Sequence, residues 1–268
     1  MKKPAVICFT NNKGGSGKST TAGNLGAAIA KAGKKVLLID GDMQLNLTLS
    51  FFEEERVIEM ADSSLNLYQA VTGRQDLSGF TYPTRYENLD LIPSSMKMSS
   101  IERDLNELNL KRGQKRELVL RDCLSGIRKE GVYDYVLIDA PPTLGIWVMN
   151  ILCASDYAVI PVEASPWGMF GLANMFDFIN EASEINEELE VLGIAVTRAD
   201  FRKGYFKQTM ETLREMSGIH VFETLIRVDS SIEWAQDASA PVVEFKRSSR
   251  SAKEYTELSK EVMERAGR

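Results

Sequence analysis

The sequence predicts an α/β fold, in which a mostly parallel, twisted sheet carries helices on both faces. Two observations lead to this prediction. Short, continuously apolar segments rich in β-branched residues recur along the 268 residues, as in buried parallel strands. Segments with helical spacing of apolar residues separate most of them. Since no repeat or Pro/Gly linker divides the chain, we expect residues 1–268 to form a single domain.

The elements follow from these patterns. Strands are predicted at residues 5–10, 34–40, 88–93, 133–142, 156–163, 189–197 and 221–226. Helices are predicted at residues 19–33, 114–129, 168–186, 206–217 and 249–266. Gly33 is a typical C-terminal cap for the first helix. Residues 53–86 have the least regular pattern, and we expect an irregular insertion over one edge of the sheet.

Composition restricts the function classes. The net charge is −6, so any nucleic-acid binding must come from a local basic patch. Cys8, Cys123 and Cys153 lack the C-x-x-C spacing of a zinc site, and we expect three buried thiols. No stretch approaches the roughly 20 apolar residues of a membrane helix, and no signal-peptide pattern precedes the first strand. We therefore expect a soluble cytoplasmic protein with no membrane partner.

A glycine-rich loop joins the first predicted strand to the first predicted helix, which is the context of a phosphate-binding loop. Gly14, Gly15 and Gly17 allow backbone N–H groups to approach a phosphate closely, and the following helix adds its positive N-terminal end. Lys18 is predicted to reach the β- and γ-phosphates of a nucleotide, and Ser19 to ligate Mg²⁺.

The same loop departs from the usual pattern G-x-x-x-x-G-K-[ST]. Asn12 stands where that pattern begins with glycine, and a second lysine, Lys13, follows it. A lysine inside such a loop loses solvation unless an anion compensates it. Lys13 is therefore either a solvent-facing side chain at the loop tip or a second contact to phosphate.

Two further segments place aspartates at the ends of predicted strands, where ligands bind in this class of fold. The segment LLIDGDMQLNLT, residues 37–48, contains Asp40 and Asp42. The segment YVLIDAPPTLG, residues 135–145, contains Asp139. Carboxylates fit such a site, because Mg²⁺ and an attacking water both need oxygen acceptors.

Taken together, KGGSGKST at 13–20 and these two aspartate segments resemble the ParA/MinD family, P-loop NTPases of the deviant Walker A type. The resemblance implies that Lys13 crosses the interface of a nucleotide-sandwich homodimer to the partner's phosphates, like an arginine finger supplied in trans. It also implies that Asp42 orients the attacking water. Ser19, Asp139 and Asp40 are assigned to the Mg²⁺ site. The nucleotide-binding residues of the loop are Lys13, Gly14, Gly15, Ser16, Gly17, Lys18, Ser19 and Thr20.

The resemblance is weaker toward the C-terminus, over residues 221–262. Arg227 matches a residue that contacts the nucleotide base, although the family's usual proline before it is absent here, so a DNA contact is the alternative for this residue. Met43 likewise replaces a family proline, and we expect the loop after Asp42 to be more mobile for that reason.

The implied function is that of the Soj-like partition ATPases without an N-terminal helix-turn-helix segment. The cofactors are ATP and Mg²⁺, the ATP-bound homodimer binds nonspecific DNA, and a ParB-like or centromere-binding protein stimulates hydrolysis, whose intrinsic turnover is weak. Such a protein is cytoplasmic and associated with the nucleoid. Candidate DNA contacts lie in two basic clusters, 198–207 and 245–253, and are Arg202, Lys203, Lys246, Arg247 and Arg250.

Three alternatives stay open. The segment TRAD, residues 197–200, resembles the guanine-reading motif of GTPases, so a GTP-using relative is one. A MinD-like ATPase that positions membrane or protein cargo is another, although residues 255–268 mix glutamates with the basic residues that membrane binding needs. A carboligase-type enzyme of the same superfamily is the third.

Overall fold

The apolar segments of the sequence form the strands of one sheet in the computed structural model, which describes residues 3–165, 169, 171–216 and 218–267. Their bounds are β1 (Ala5–Phe9), β2 (Val36–Asp40), β3 (Tyr82–Pro83), β4 (Leu89–Ile92), β5 (Tyr135–Asp139), β6 (Tyr157–Glu163) and β7 (Glu190–Thr197). The strand order is β3-β4-β2-β5-β1-β6-β7. All pairs are parallel except β3 with β4 at one edge. The predicted fold class is confirmed.

Helices connect the strands and cover both faces of the sheet. Those of the N-terminal half are α1 (Lys18–Lys31), α2 (Asn46–Leu49), α3 (Glu54–Asp62), α4 (Leu67–Thr72), α5 (Ile101–Glu107), α6 (Val119–Cys123) and α7 (Ser125–Glu130). Those of the C-terminal half are α8 (Ile146–Ala154), α9 (Leu172–Ile185), α10 (Tyr205–Glu215), α11 (Ser230–Asp237), α12 (Val242–Phe245) and α13 (Arg250–Arg265). Short 3-10 helices occupy Leu77–Phe80, Met96–Ser100 and Arg116–Leu118.

The core is divided by the sheet into two layers. Alternate residues of β1 illustrate the division, since Val6 and Cys8 belong to the layer under α4–α9, while Ile7 and Phe9 belong to the layer under α1 and α13. Side chains of a strand alternate between the two faces of a sheet, so a strand covered on both faces is apolar throughout. This burial explains the continuous apolar runs in the sequence.

Strand register fixes where the acidic residues meet. In the parallel pairs, Phe9 and Asp40 both lie beside Asp139, one on each side of β5. The carboxyl ends of β1, β2 and β5 therefore form one edge. The loop after β1 and the segments after β2 and β5 begin from this edge, as the sequence predicts.

One predicted strand does not form. Residues 221–226 run beside β7, and the recorded pairing is an isolated bridge between Ile194 and Val221. The cause is Glu261 of α13, whose carboxylate accepts hydrogen bonds from the N–H groups of Glu223 and Thr224 at 2.8 and 2.9 Å. These two donors are directed to a helix side chain, so regular strand pairing is interrupted.

Residues 114–129 are also less regular than predicted. A 3-10 turn precedes α6 and α7, because Asn150 of α8 bonds to both the Arg116 carbonyl and the Leu120 N–H, at 2.8 and 3.1 Å. Residues 53–86 contain α3, α4, one 3-10 helix and β3. Their status as an insertion stays a prediction. The predicted bounds at 168 and 217 lie outside the described residues.

Two expectations drawn from composition can be compared with the structure. Cys8, Cys123 and Cys153 are all free and buried, as predicted. Among helices in the described part of the chain, none has both the length and the apolar character needed to cross a membrane.

Replacing Glu261 by Ala tests the contact that interrupts the last predicted strand. The two backbone N–H groups lose their acceptor, which should cost about 1–2 kcal/mol in the free energy of unfolding. Glu257→Ala, on the same helix and paired with Lys260 alone among its recorded partners, is the control and should change stability by less than about 0.5 kcal/mol. Urea denaturation measures both. Equal stability of the two variants would contradict this account of residues 221–226.

Candidate active site at the carboxyl edge of the sheet

The loop between β1 and α1 has the backbone geometry of an anion site. Gly15 and Gly17 adopt positive φ angles of 74° and 87°, in the left-handed region that side chains disfavour. Gly17 precedes α1 without any side chain capping the first turn. Gly17 itself offers no side-chain acceptor, and among the described residues no side chain is bonded to the first N–H groups of α1, so these groups can bind a phosphate.

Lys18 lies at the start of α1 and is 6% exposed. Its Nζ donates to the carbonyl oxygen of Lys13 at 3.1 Å, which folds the loop around the ammonium group. Burial lowers the pKa of Lys18, and the charges of Asp139 and Asp42 oppose that shift. The ammonium group thus lies between the phosphate loop and the acidic strand ends, and its predicted contact with the phosphates stays a prediction.

Asp139 ends β5 and is fully buried. Among the described residues, none donates a hydrogen bond to either of its carboxylate oxygens. Burial first, and then the charge of Asp40, raise the pKa of Asp139 well above its usual range, although Ser19 and Lys18 act in the opposite direction. A buried carboxylate that accepts no hydrogen bonds needs either a proton or a nearby cation.

Asp40 is engaged differently. One carboxylate oxygen accepts from the Thr48 N–H at 2.9 Å and the Thr48 hydroxyl at 2.6 Å, and the other accepts from the Asp42 N–H at 3.2 Å. Burial raises the pKa of Asp40 to about 6, against the lowering effect of these hydrogen bonds. Its oxygens hold the backbone between β2 and α2.

Asp42 follows β2 and is 7% exposed. Its Oδ1 accepts from the Gln44 N–H at 3.1 Å, and its side chain borders the same cavity as Lys18. The structure brings Asp42, Lys18 and Ser19 together at this cavity.

The cavity has a volume of about 1070 Å³. The glycine loop forms one end, and the segment after residue 225, with α11 and Tyr255, forms the other. Predicted site residues that line it are Gly14, Gly15, Gly17, Lys18, Ser19, Thr20, Asp42 and Arg227. Thr197 borders the cavity and is bonded to the glycine loop, because its hydroxyl donates to the Ser16 carbonyl at 2.8 Å.

Lys13 is outside this lining. Its Nζ lies 3.3 Å from Oε2 of Glu163, the last residue of β6, and Arg198 approaches the other oxygen of Glu163 at 4.0 Å. Asn11 holds the Lys13 backbone in place by accepting from its N–H at 2.9 Å while donating to the Pro161 carbonyl at 2.8 Å. Lys13 is therefore directed toward β6 rather than into the cavity beside it.

Arg227 borders the far end of the cavity. Its N–H and Nε both donate to the carboxylate of Glu254 on α13, and its guanidinium lies 5.9 Å from the ring centre of Phe201. These contacts hold the side chain between α13 and Phe201 in the cavity lining, and the base contact stays a prediction.

The five candidate DNA contacts are at the surface. Arg202 forms a two-atom pair with Asp200, at 2.8 and 2.9 Å, and Lys203 lies 5.9 Å from the ring centre of Tyr205. Lys246 is exposed. Arg247 pairs with Glu244 at 2.6 Å. Arg250 donates to the Val228 carbonyl and lies 3.7 Å from Glu254, next to the cavity rim.

The residues present fit a magnesium ion that is completed by nucleotide and water. Within the described ranges, no group of three or more His, Cys, Asp or Glu side chains forms a cage for a metal. Mg²⁺ keeps several waters and binds through one or two protein oxygens together with phosphate. The unpaired carboxylate of Asp139 next to Ser19 supplies such a donor set.

Sequence comparisons place this arrangement in a known group. The family model AAA_31, an AAA domain, matches residues 4–191. The sporulation initiation inhibitor protein Soj of Bacillus subtilis is 33% identical over 258 residues, covering 96% of this chain and 97% of its own. The chromosome partitioning protein ParA of Caulobacter vibrioides is 31% identical, covering 97% and 94%. This chain belongs to the ParA/Soj family. The resemblance seen in the motifs is confirmed.

Solved structures share the fold of this ParA/Soj family member. A putative plasmid partition protein from Borrelia burgdorferi, bound to AMPPNP, is 25% identical with a TM-score of 0.75, covering 98% of this chain and 99% of that one. Cobyrinic acid a,c-diamide synthase from Mycobacterium smegmatis, with bound ADP and magnesium, has a TM-score of 0.81 at 23% identity, covering 99% and 97%. The second likeness concerns the fold alone.

Sequence reasoning missed four contacts in this ParA/Soj-type site. Thr48 and Thr197 both lie in segments that the motifs single out, so hydroxyls within those segments were a usable signal. Glu163 ends a predicted strand, and its position at the carboxyl edge was a weaker signal. Trp147 donates to the Gly41 carbonyl from α8, and nothing in the local sequence indicates that contact.

Replacing Asp139 by Asn tests whether the buried carboxylate lacks a stabilising partner when no metal is bound. Because its pKa is raised in the folded state, the native chain keeps its proton as pH rises above about 4, where the unfolded chain loses it. Its stability therefore falls with rising pH until Asp139 ionises. Asn imitates the protonated form, so the variant should gain a few degrees in Tm at pH 8 and little at pH 5, on a scale of about 2–4 °C per kcal/mol.

Thermal unfolding in EDTA without nucleotide, from pH 5 to pH 8, measures this difference. Asp62→Asn removes an exposed carboxylate at the end of α3 and is the control, with no expected change in the pH profile. If the Tm difference between Asp139→Asn and the native chain stays constant with pH, the pKa of Asp139 is not raised by unpaired burial, and this account of the carboxylate is contradicted.

Proposed function

We propose that this chain is an ATP-dependent DNA partition ATPase, in which ATP drives a homodimer that binds nonspecific DNA and hydrolysis releases it. The observation that carries the proposal is the position of the two lysines. Lys18 faces the cavity of its own chain, whereas Lys13 is directed to Glu163 outside that cavity. A lysine that lies beside the phosphate site of its own chain, but outside it, is suited to contact a nucleotide bound to a second copy of the chain.

ATP and Mg²⁺ are the cofactors. The free N–H groups of α1 and Lys18 bind the phosphates, and Ser19 with Asp139 holds the metal, directly or through water. When bound, Mg²⁺ neutralises charge that develops on the phosphates. Asp42 orients the attacking water from the cavity wall, and Asp40 positions the segment that carries Asp42 through its bonds to Thr48. Intrinsic turnover is proposed to be weak.

The contacts of Asp200 favour ATP over GTP. A guanine-reading aspartate has to face the base with a free carboxylate. Here the Asp200 carboxylate is held by two bonds to Arg202, which is also the largest cause of its pKa falling to about 2. Asp200 does not border the cavity, as far as the described residues define it. Arg227 is the proposed base contact.

The C-terminal helix favours partition over membrane positioning. Tyr255, Leu258 and Val262 of α13 are buried in the same core layer as Leu25 and Ile29 of α1. The apolar face that a membrane-binding helix needs is therefore packed on the domain. We propose a cytoplasmic, nucleoid-associated protein whose activator is ParB-like or a centromere-binding protein.

The two lysines can be separated by mutation. Lys18→Ala removes a charge from the phosphate site and should weaken nucleotide binding at least 100-fold. Lys13→Ala should leave nucleotide binding within about twofold while weakening ATP-dependent dimerisation and lowering turnover at least 100-fold. Labelled-nucleotide titration, light scattering after size exclusion and phosphate release measure the three quantities. Lys129→Ala, an exposed lysine on α7, is the control.

In the same assays Asp42→Ala should bind ATP, form the dimer and fail to release phosphate. Two results would contradict the proposal. One is a Lys13→Ala variant that dimerises and turns over like the native chain, and the other is an Asp42→Ala variant that stays monomeric with ATP.

The DNA surface is tested by replacing Arg247 and Arg250 together by Ala. Each phosphate contact that is lost should reduce the slope of log affinity against log salt by about 0.9. The control pair is Arg56→Ala with Arg103→Ala, two exposed arginines that also sit in ion pairs. Fluorescence anisotropy with random duplex DNA and ATP gives the slope. Because Arg250 also contacts the cavity rim, nucleotide affinity is measured in the same variants. An unchanged salt slope together with normal nucleotide binding would show that Arg247 and Arg250 do not contact DNA.

A further inference from the structure

Trp147 makes a contact that the proposed reaction does not yet use. It lies in the first turn of α8, is 1% exposed, and its indole Nε1 donates to the carbonyl oxygen of Gly41 at 2.9 Å. An indole N–H in a dry interior requires an acceptor, and here that acceptor is the peptide between Asp40 and Asp42.

Both backbone polar groups of Gly41 are bonded, one in each of the two peptide groups that flank the residue. Its N–H donates to the Asp139 carbonyl at 2.9 Å, while its carbonyl accepts from Trp147. A Cβ at Gly41 would lie 2.6 Å from the Asp139 carbonyl oxygen, so no larger residue fits without moving the backbone. The end of β5 and the start of α8 together therefore fix the backbone on both sides of Gly41.

The contacts of Asp42 itself are local. Its N–H binds Asp40, and its carboxylate accepts from Gln44. The bonds of Asp40 go to Asp42 and Thr48 in the same segment. Apart from strand pairing, the hydrogen bonds that join residues 40–44 to parts of the described chain beyond residue 48 are those of Gly41.

The start of α8 is fixed in turn. Glu102 of α5 accepts hydrogen bonds from the N–H groups of Ile146 and Trp147, at 2.9 and 3.3 Å. The Glu102 carboxylate also lies where a Cβ of residue 145 would be, so glycine at this position lets the carboxylate reach the helix start. The loop that leads from Asp139 into α8 is thereby joined to the segment that carries Asp42.

We propose that Trp147 is a positioning residue for ATP hydrolysis. Its indole N–H holds the Gly41 carbonyl, and so sets where the Asp42 carboxylate stands relative to the phosphates and to Asp139. This inference rests on the proposed function, because it assumes that Asp42 orients the attacking water. Trp147 does not touch the nucleotide cavity, and its effect passes through the Gly41 peptide.

Trp147→Phe is the test, because Phe keeps a buried aromatic ring and removes the N–H donor. We expect kcat to fall about tenfold, while KM and the affinity for a non-hydrolysable ATP analogue stay within about twofold. Trp234→Phe is the matched control, since Trp234 is 64% exposed on α11 and should leave all three quantities unchanged. A fall in nucleotide affinity equal to the fall in kcat would mean a packing role and would overturn the proposal.

A second measurement uses the native chain and does not depend on a variant that folds well. The sequence has three tryptophans, so a ¹⁵N-labelled sample gives three indole N–H signals, and the one missing in Trp147→Phe is assigned. We expect that signal to move between ADP and the ATP analogue, and to move again in Asp42→Asn. If Trp147→Phe fails to fold, assignment comes from Trp167→Phe and Trp234→Phe.

The outcomes separate the inference from the function on which it rests. A native chain that hydrolyses ATP, with Trp147→Phe at the native kcat or with a Trp147 signal that ignores both the nucleotide and Asp42→Asn, overturns the inference alone. A native chain without ATP turnover overturns the proposed function, and the positioning role falls with it.

Discussion

Two carboxylates are placed side by side by strand register, and the rest of the site depends on that placement. Asp40 and Asp139 are paired residues at the ends of β2 and β5, and both are fully buried. Two such groups repel each other and lose hydration, so their surroundings must supply donors or cations. For Asp40 the donors are the backbone and hydroxyl of Thr48. For Asp139 the nearby cation is Lys18, and within the described residues its oxygens accept no hydrogen bond, which suits the proposed metal contact.

Asp40 and Asp139 are the same residue type, and their different contacts follow from the path that the chain takes after each of them. Asp40 begins a turn that returns to it eight residues later through Thr48. Asp139 begins a proline-containing loop that leads away to α8. The first aspartate is therefore suited to holding backbone in place, and the second to binding a cation. The sequence analysis assigned both Asp40 and Asp139 to the metal site. We propose instead that Asp40 holds the backbone and that Asp139 binds the cation.

Much of the fold and part of the site could be predicted from the sequence. Strands covered on both faces leave apolar runs, and glycine, lysine and aspartate at strand ends indicate phosphate and metal chemistry. Residues 221–226 have the composition of a strand, but Glu261, distant in sequence, takes two of their N–H groups. Likewise, the partners of Lys13 and Gly41 come from β6 and α8. Such contacts depend on where whole elements pack, and no local pattern of residues encodes them.

The ion pair between Lys13 and Glu163 has a thermodynamic consequence for assembly. If Lys13 is to reach a nucleotide on a second chain, it must leave one anion for another, and Glu163 is left with Arg198 as its nearest recorded cation. Assembly then exchanges counter-ions rather than neutralising a free charge, so each lysine contributes a small net free energy. A dimer built on small differences dissociates readily once the γ-phosphate is lost, which is the property that a reversible switch requires.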